Sequence, residues 1–299
     1  MSPPLIDVVI PTYNQADLLR ECLKSVIAQT FQGWNCWVVD NFSSDHTARV
    51  VAEFRDPRIH YSKFKNNDII AASRNFAVSQ GSAPLIAFLD SDDLWYPNKL
   101  HRVAQHLETE RGLDLLCHDE QWMSAGGKLR QIQYGPGKKN LKRFLFYRGN
   151  CISTSAVTVR REAFTKLNGF SENPAFVTAE DYELWVRMAS AGLAIGFLHE
   201  VLGIFRIHEF SSSSVAIRNH QACLAVIDSI YRSLPNHRRR SLSHRLAWQY
   251  YSYARALHRN GDYRTAHSSF GVSLKLAPYL PRTVVATILN LFHLAKKGF

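Results

Sequence analysis

The sequence predicts an α/β protein in which helices flank a mainly parallel sheet, followed by an α-helical lobe. Strand-like and helix-like segments alternate over residues 6–100, a pattern typical of βαβ units and parallel strands. The apolar run 85–89 predicts a strand buried on both faces. Strand signals are few after the serine run at 211–214. We therefore expect two domains, residues 1–214 and 215–299.

The first half contains four predicted strands separated by helices. Asp40 closes one strand and Asp90 follows another, so both should lie at the carboxyl edge of the sheet, where open α/β sheets bind ligands. The strands are predicted at 6–11, 36–40, 58–62 and 85–89, and the helices run from about Ala16, up to about Phe54 and over 69–79.

The second half is less regular. A helix is predicted to end near Leu167 and another to begin after Thr178. Strands are predicted at 114–118, 155–160, 195–198 and 202–207.

Composition excludes several protein classes. The hydrophobic content of 46% and the charged content of 20% are ordinary for a globular protein. The five cysteines are odd in number and widely spaced, which fits neither a zinc cluster nor a disulfide framework. The first residues do not resemble a secretion signal, and no apolar run is long enough to span a bilayer. We expect a cytoplasmic protein.

Charge is distributed unevenly. The net charge of +11 lies entirely in residues 215–299, where 13 Lys and Arg face only Asp228 and Asp262. Such asymmetry indicates an anionic partner for this part, for example a membrane surface. No nucleic-acid motif accompanies the charge, so we expect no nucleic-acid partner.

Three carboxylates, Asp90, Asp92 and Asp93, follow the buried strand within four positions. Carboxylates this close raise one another's pKa unless a cation neutralises them. Mg²⁺ or Mn²⁺ prefers such oxygen ligands and usually binds a phosphate as well. The alternative is a solvated acidic turn before the helix that begins near Pro97.

Six segments, in order, resemble the family 2 glycosyltransferases, which have the GT-A (Rossmann-like) fold. The resemblance spans about residues 5–214. Asn41 and Asp68 depart from it, because relatives often carry an acid and a glycine there. Gln-x-x-Arg-Trp is absent, so the resemblance is to a non-processive enzyme. The matching segments are 8–14, 23–31, 38–45, 73–75, 88–93 and 180–187.

The resemblance implies an inverting enzyme that depends on Mn²⁺ or Mg²⁺. It would move one sugar from a nucleoside-diphosphate sugar, of the UDP or dTDP type, to a hydroxyl of a glycan or lipid-linked acceptor. Asp92 would bind the metal ion and His208 would contact the metal or the diphosphate, although His208 could equally be an edge-strand histidine. Asp181 would be the general base. Spacing alone favours a capping box instead, with Thr178 as N-cap and Asp181 at N3.

The resemblance also implies a donor-binding set. Tyr13 could stack on the base or pack its own turn, and Asp40 could accept from a ring N–H or cap its own loop. Arg74 could contact base or phosphate or form a surface ion pair. Asp90 would meet the ribose or the metal's water shell. The full set is Pro11, Tyr13, Asp40, Arg74, Asp90 and Ser91.

Two other classes of protein function are compatible with a fold of this kind. A non-catalytic scaffold could use the same fold for partner binding, but the intact acids argue against it. A nucleotidyltransferase lacks support, because the N-terminal turn has no glycine-rich, basic phosphate loop.

The C-terminal segment predicts helices. Residues 250–278 resemble one tetratricopeptide repeat, which cannot bury its own face, so we expect a helical lobe or a partner-binding module. The last predicted helix, 283–297, carries Val285, Ile288, Leu289 and Phe292 on one side. It could dock in the protein, or lie on the inner membrane face with help from residues 238–240 and 296–297. A homodimer stays open.

Overall fold

The computed structural model describes residues 5–137, 140–207, 216–232 and 242–296. The chain divides into two compact units. One comprises Met1–Lys138 and Cys151–Ser211, and the other comprises Lys139–Asn150 and Ser212–Phe299. His208, the serine run 211–214 and the arginines 238–240 lie outside the described residues.

Nine strands form one sheet in the described part of the first unit, in the order β3-β2-β1-β4-β8-β6-β9-β5, with β7 beside β6. The first four strands in this order are parallel to one another, which confirms the prediction from strand–helix alternation. Strand β8 is antiparallel to both of its neighbours. The strands are β1 (Ile6–Thr12), β2 (Trp34–Asp40), β3 (Ile59–Lys63), β4 (Leu85–Phe88), β5 (Leu94–Trp95), β6 (Leu115–Met123), β7 (Leu129–Ile132), β8 (Val157–Arg160) and β9 (Ile195–Arg206).

The helices of the first unit cover the sheet. Leu19, Leu23 and Val26 of the first helix are fully buried in the same core as Ile6 and Val8 of β1.

The described helices of both units, in chain order, are α1 (Ala16–Ile27), α2 (Thr47–Glu53), α3 (Ile70–Gln80), α4 (Lys99–Thr109), α5 (Leu141–Arg148), α6 (Arg161–Lys166), α7 (Glu180–Ser190), α8 (Ala216–Arg232), α9 (Leu242–Arg259), α10 (Tyr263–Leu276) and α11 (Pro281–Lys296).

Three predicted strands need correction. Segments 195–198 and 202–207 form the single strand β9, whose register against β6 shifts beside His118 and Asp119. The irregular pairing leaves His199 and Glu200, which lie between the two predicted segments, unmatched in the register while the strand continues. The strand predicted at 155–160 is shorter, because Thr154–Ala156 form a 3₁₀ turn before β8.

The second unit consists of α5 and α8–α11, so α5 belongs to it although it precedes the boundary suggested by the serine run. Helices α9 and α10 join through Gly261, whose φ of +81° favours glycine. Ala254, Ala266 and Phe270 are buried between them, which confirms the helical extension. No described helix is both long and apolar enough to cross a bilayer.

Helix α11 packs in the second unit by its more polar side. Thr283, Ala286 and Asn290 are buried, whereas Ile288 and Phe292 are exposed. The apolar side that the sequence predicts is therefore not the side that holds α11 in this unit.

A buried carboxylate in β1 ties several elements together. Asp7 is fully buried and accepts hydrogen bonds from the Trp37 indole (3.0 Å), the Ala83 backbone N–H (2.8 Å) and the Arg161 guanidinium (2.6 Å). Strand β1 is thereby joined to β2, to the segment before β4 and to α6. The charge is tolerated because each contact is a donor aimed at it.

Asp7→Ala should lower the free energy of unfolding by about 3–5 kcal/mol, because the Arg161 charge and the donors lose their partner. Urea unfolding checks this. Asp17→Ala, which removes an exposed carboxylate on α1, is the control and should leave stability within error. Equal effects of the two substitutions would contradict the role of Asp7.

Candidate active site

The acidic turn lies at the carboxyl edge of the parallel strands. Asp90 follows β4, and the Leu89 N–H donates to the Val9 carbonyl of β1 at 3.0 Å. On the other side of β1, Thr12 lies opposite Asp40 in the register with β2. The side chain of Asp90 is 29% exposed and Asp92 is half-buried. Two carboxylates of the turn are thus accessible at the edge where ligands are expected.

Asp93 has a structural role in the turn. Its carboxylate accepts hydrogen bonds from the Ser155 hydroxyl (2.6 Å) and the Arg206 backbone N–H (2.9 Å). The Ser155 hydroxyl oxygen also accepts from the Asp90 N–H at 3.1 Å. Burial and the nearby charge of Asp92 raise the pKa of Asp93 well above its usual range. Asp93 therefore anchors the turn to β9 and to the 3₁₀ turn.

Arg74 is the buried centre of the site. Its guanidinium donates to Asp90 Oδ1 (2.7 Å) and to Glu180 Oε1 (2.6 Å), and it lies 5.3 Å from the Phe170 ring centroid. Burial alone would lower the pKa of Arg74, but the charges of Asp90 and Glu180 raise it. The arginine therefore stays ionised. At 3% exposure it is no surface ion pair, and that alternative is wrong.

The start of α7 differs from the capping box suggested by spacing. Ala179 is the N-cap and has no side-chain cap, so Asp181 lies at N2. Thr178 has a φ of +84°, and its backbone N–H donates to Glu180 Oε2 at 2.8 Å. Glu180 thus binds both Arg74 and the chain before its own helix. The capping box does not form because Thr178 lies too early in the chain.

The 3₁₀ turn Thr154–Ala156 connects the acidic turn to Asp181. The Thr154 hydroxyl donates to Asp181 Oδ2 at 3.3 Å, and the adjacent Ser155 hydroxyl binds Asp93. The Tyr182 N–H lies 2.6 Å from Asp181 Oδ1. Sequence reasoning missed Thr154 and Ser155, because they belong to a segment whose apolar alternation predicts only a strand.

The predicted donor-side residues occupy one region but differ in exposure. Tyr13 is 54% exposed beside the buried Pro11. Asp40 is buried and accepts from the Ser43 hydroxyl and the Tyr61 hydroxyl, each at 2.5 Å. The Ser43 contact caps the loop after β2, as one of the two interpretations predicts. Ser91 is buried and donates to Gln15 Oε1 at 2.6 Å.

The loop before α3 retains a glycine-like backbone. Asp68, where relatives often carry glycine, has a φ of +63°. Its N–H donates to Asn66 Oδ1 at 3.0 Å, and the Asn66 N–H donates to Asn41 Oδ1 at 3.1 Å. Asp is one of the residues that adopt this conformation without a large cost. Both departures from the family pattern therefore belong to one hydrogen-bonded network, which joins the loop after β2 to the loop before α3.

A second buried carboxyl, Glu120 of β6, lies near the acidic turn. It accepts from the Tyr134 hydroxyl at 2.7 Å. Burial raises the pKa of Glu120 to about 7, and the charge of Asp90 contributes to the rise. Sequence reasoning missed Glu120, because it lies beyond the strand predicted at 114–118, which the structure extends to Met123.

Within the described ranges, no group of three or more His, Cys, Asp or Glu side chains converges on a point that could hold a metal ion. Asp90 and Asp92 remain the accessible oxygen donors of the turn. The second predicted ligand, His208, falls in a gap between those ranges.

The family model described as Glycosyl transferase family 2 matches residues 7–167, more than half of the chain. The chain belongs to this family. The matched segment includes β1, the acidic turn and Arg74. It ends before Glu180 and Asp181, so these two are assigned by position and contacts.

Two curated relatives of this family 2 chain have names that specify an acceptor or a biosynthetic role. The UDP-Glc:alpha-D-GlcNAc-diphosphoundecaprenol beta-1,3-glucosyltransferase WfgD of Escherichia coli is 33% identical over 62% of this chain and 70% of its own length. The putative teichuronic acid biosynthesis glycosyltransferase TuaG of Bacillus subtilis is 26% identical over 71% of this chain and 82% of its own length.

Solved structures show the same fold. Residues 1–349 of TarS from S. aureus, in complex with UDP-GlcNAc, superpose with a TM-score of 0.62, 19% identity and coverage of 95% of this chain and 88% of that one. The mannosyltransferase PcManGT from Pyrobaculum calidifontis, in complex with GDP-Man and Mn²⁺, superposes with a TM-score of 0.63 at 19% identity. This match covers 99% of this chain and 86% of that one. Against another TarS structure, the match covers 53% of that chain. The GT-A fold expected from the resemblance is confirmed.

Glu120→Gln should make stability less dependent on pH. The folded wild type keeps the Glu120 proton up to about pH 7, whereas the unfolded chain releases it near 4.5, so this group's stability contribution falls as pH rises between these values. Glutamine cannot ionise, so the variant should gain roughly 1–3 kcal/mol relative to wild type between pH 5 and pH 8. Urea unfolding at both pH values measures the change. An identical difference at both would contradict the raised pKa.

Arg74 and Glu180 should show strong energetic coupling in a double-mutant cycle. With Arg74→Ala, Glu180→Ala and both together, the coupling in unfolding free energy should be about 1–3 kcal/mol, because the pair is buried. The exposed pair Arg20 and Glu53 is the control and should show no measurable coupling. Additive effects at positions 74 and 180 would count against the buried bridge.

Proposed function

We propose that the protein transfers one sugar from a nucleoside-diphosphate sugar to a hydroxyl group, with inversion at the anomeric carbon. The observation that carries the proposal is the buried bridge Asp90–Arg74–Glu180. It holds the acidic turn, the candidate donor site, in a fixed relation to the helix start that carries Asp181. A donor-binding turn and a base fixed to each other are what a single in-line displacement needs.

The acidic turn suits a divalent cation shared with a substrate. Asp90 and Asp92 offer hard oxygen donors, and Mg²⁺ or Mn²⁺ is typically held by one or two carboxylates together with substrate phosphates. The bound ion would supply Lewis-acid stabilisation of the leaving diphosphate. PcManGT in complex with GDP-Man and Mn²⁺ supports this assignment.

Asp181 is the proposed general base. Its half-buried carboxylate is oriented by the Thr154 hydroxyl and lies at the first turn of α7. In this role one oxygen of Asp181 takes the proton of the acceptor hydroxyl while that hydroxyl attacks the anomeric carbon. One displacement without a covalent intermediate inverts the anomeric configuration. Glu180 is occupied by Arg74, so it positions the base.

Donor recognition is assigned to the region around Tyr13. Its exposed ring is available to stack on the nucleotide base. Asp40 would accept a ring N–H in addition to its loop contacts, since each carboxylate oxygen has two lone pairs. Arg74 would act mainly through Asp90, and Pro11 and Ser91 would shape the pocket. The names of WfgD and of the TarS complex favour a UDP-sugar.

The acceptor is proposed to be a glycan or a lipid-linked saccharide. The name of WfgD specifies a diphosphoundecaprenol-linked acceptor, and that of TuaG specifies teichuronic acid biosynthesis. A saccharide acceptor would offer a sugar hydroxyl to a base such as Asp181.

Asp181→Asn should lower kcat roughly 10²–10⁴-fold with little change in donor KM, because the amide cannot take the proton.

Asp92→Ala should reduce kcat/KM on the order of 10²-fold and raise the metal-ion concentration needed for half-maximal activity, because an oxygen ligand of the metal is lost. The assay is release of nucleoside diphosphate from UDP-, dTDP- and GDP-sugars with Mn²⁺, Mg²⁺ or EDTA, in the presence of saccharide acceptors.

Asp17→Asn, which changes an exposed carboxylate on α1, is the matched control and should retain wild-type rates. Full kcat in Asp181→Asn would remove that residue as the base. Undiminished turnover in EDTA would remove the metal. Absence of turnover and of nucleotide binding with every donor would overturn the proposed function.

A further inference from the structure

Helix α11 is held in the second unit by its more polar side. Asn290 donates from its amide nitrogen to the Tyr263 carbonyl (2.8 Å), and its amide oxygen lies 2.8 Å from His258 Nδ1. Thr283 and Ala286 are buried on the same side. These contacts fix the rotation of α11 about its axis.

The opposite side of α11 is apolar and exposed. Its members, here called the α11 face, are each 40–63% exposed, and Tyr279 in the preceding turn is 69% exposed. A contiguous apolar surface of this kind marks an interaction site more often than an accident of packing. The α11 face consists of Val284, Val285, Ile288, Leu289, Leu291 and Phe292.

Basic residues accompany the α11 face. Arg282 and Lys296, both exposed, continue at helical spacing the row formed by Val285, Leu289 and Phe292. The sequence from residue 263 to residue 299 contains no Asp or Glu. The face and its surroundings therefore combine apolar area with positive charge that this stretch of chain does not neutralise.

We propose that the α11 face binds an anionic membrane surface, with α11 lying in the plane of the interface. The acyl boundary would take the apolar side chains, and anionic headgroups would pair with Arg282 and Lys296. At 16 residues α11 is too short to span a bilayer. A two-fold contact between two copies is disfavoured, because it would bring these cations together without an acidic partner from the same segment.

Membrane binding of this kind is independent of sugar transfer. It would nevertheless bring the enzyme to the surface that displays a lipid-linked acceptor.

The test is sedimentation of the full chain with phosphatidylcholine vesicles, with and without phosphatidylglycerol, at low and high salt. The test variant is Ile288→Ser/Phe292→Ser, which changes exposed side chains and should keep the fold, as checked by circular dichroism and the unfolding midpoint. The matched control is Leu129→Ser/Ile217→Ser, which removes two exposed apolar side chains outside α11.

We expect the wild type and the control to sediment with anionic vesicles, and affinity to be at least about tenfold lower for the test variant and for neutral vesicles. High salt should weaken the binding. The proposal is overturned if the wild type stays in the supernatant, if the test variant binds like the control, or if neutral vesicles bind equally well. A dimer that the test variant abolishes, without vesicle binding, would identify a second copy as the occupant instead.

Discussion

The ion pairs of the Arg74 guanidinium with Asp90 and Glu180 are the constraint on which the candidate active site depends. A charge with 3% exposure must be paired, and its two partners come from the acidic turn and from the start of α7, the latter 106 positions away in sequence. Without Arg74, the carboxylates of Asp90 and Glu180 would lose the cation that they share. The folded chain therefore holds the turn and the helix start together.

A second connection runs beside the first through hydroxyl groups. Thr154 and Ser155 are neighbours in one 3₁₀ turn, and they reach Asp181 and Asp93 respectively. Asp93 is buried by these contacts, which leaves Asp90 and Asp92 as the more accessible carboxylates of the turn. The three carboxylates of the acidic turn thus have different roles, set by their partners rather than by their order in the sequence.

Local patterns predicted the features that depend on local physics. Apolar runs correctly predicted the parallel strands, and the acids at strand ends correctly placed Asp40 and Asp90 at the carboxyl edge of the sheet, because burial and sheet direction follow from short stretches of sequence. The pairing of Arg74 with Glu180 could not be predicted, since no local spacing relates them. The capping box predicted for Thr178 does not form, because α7 begins one residue later than the spacing suggests, with Ala179 as its N-cap.

Helix α11 shows the same limit in the second unit. Periodicity correctly predicted an amphipathic helix but not which side is buried, because the hydrogen bonds of Asn290 to Tyr263 and His258 are tertiary. The apolar side of α11 is therefore exposed.

The proposed reaction is a single displacement at the anomeric carbon, with Asp181 as base and the acidic turn as donor site. The most direct test is nuclear magnetic resonance of the product formed from an α-linked donor, read from the coupling constant of the anomeric proton. The account predicts a β-linked product. An α-linked product would contradict it, because retention requires a mechanism that this pair of sites does not provide.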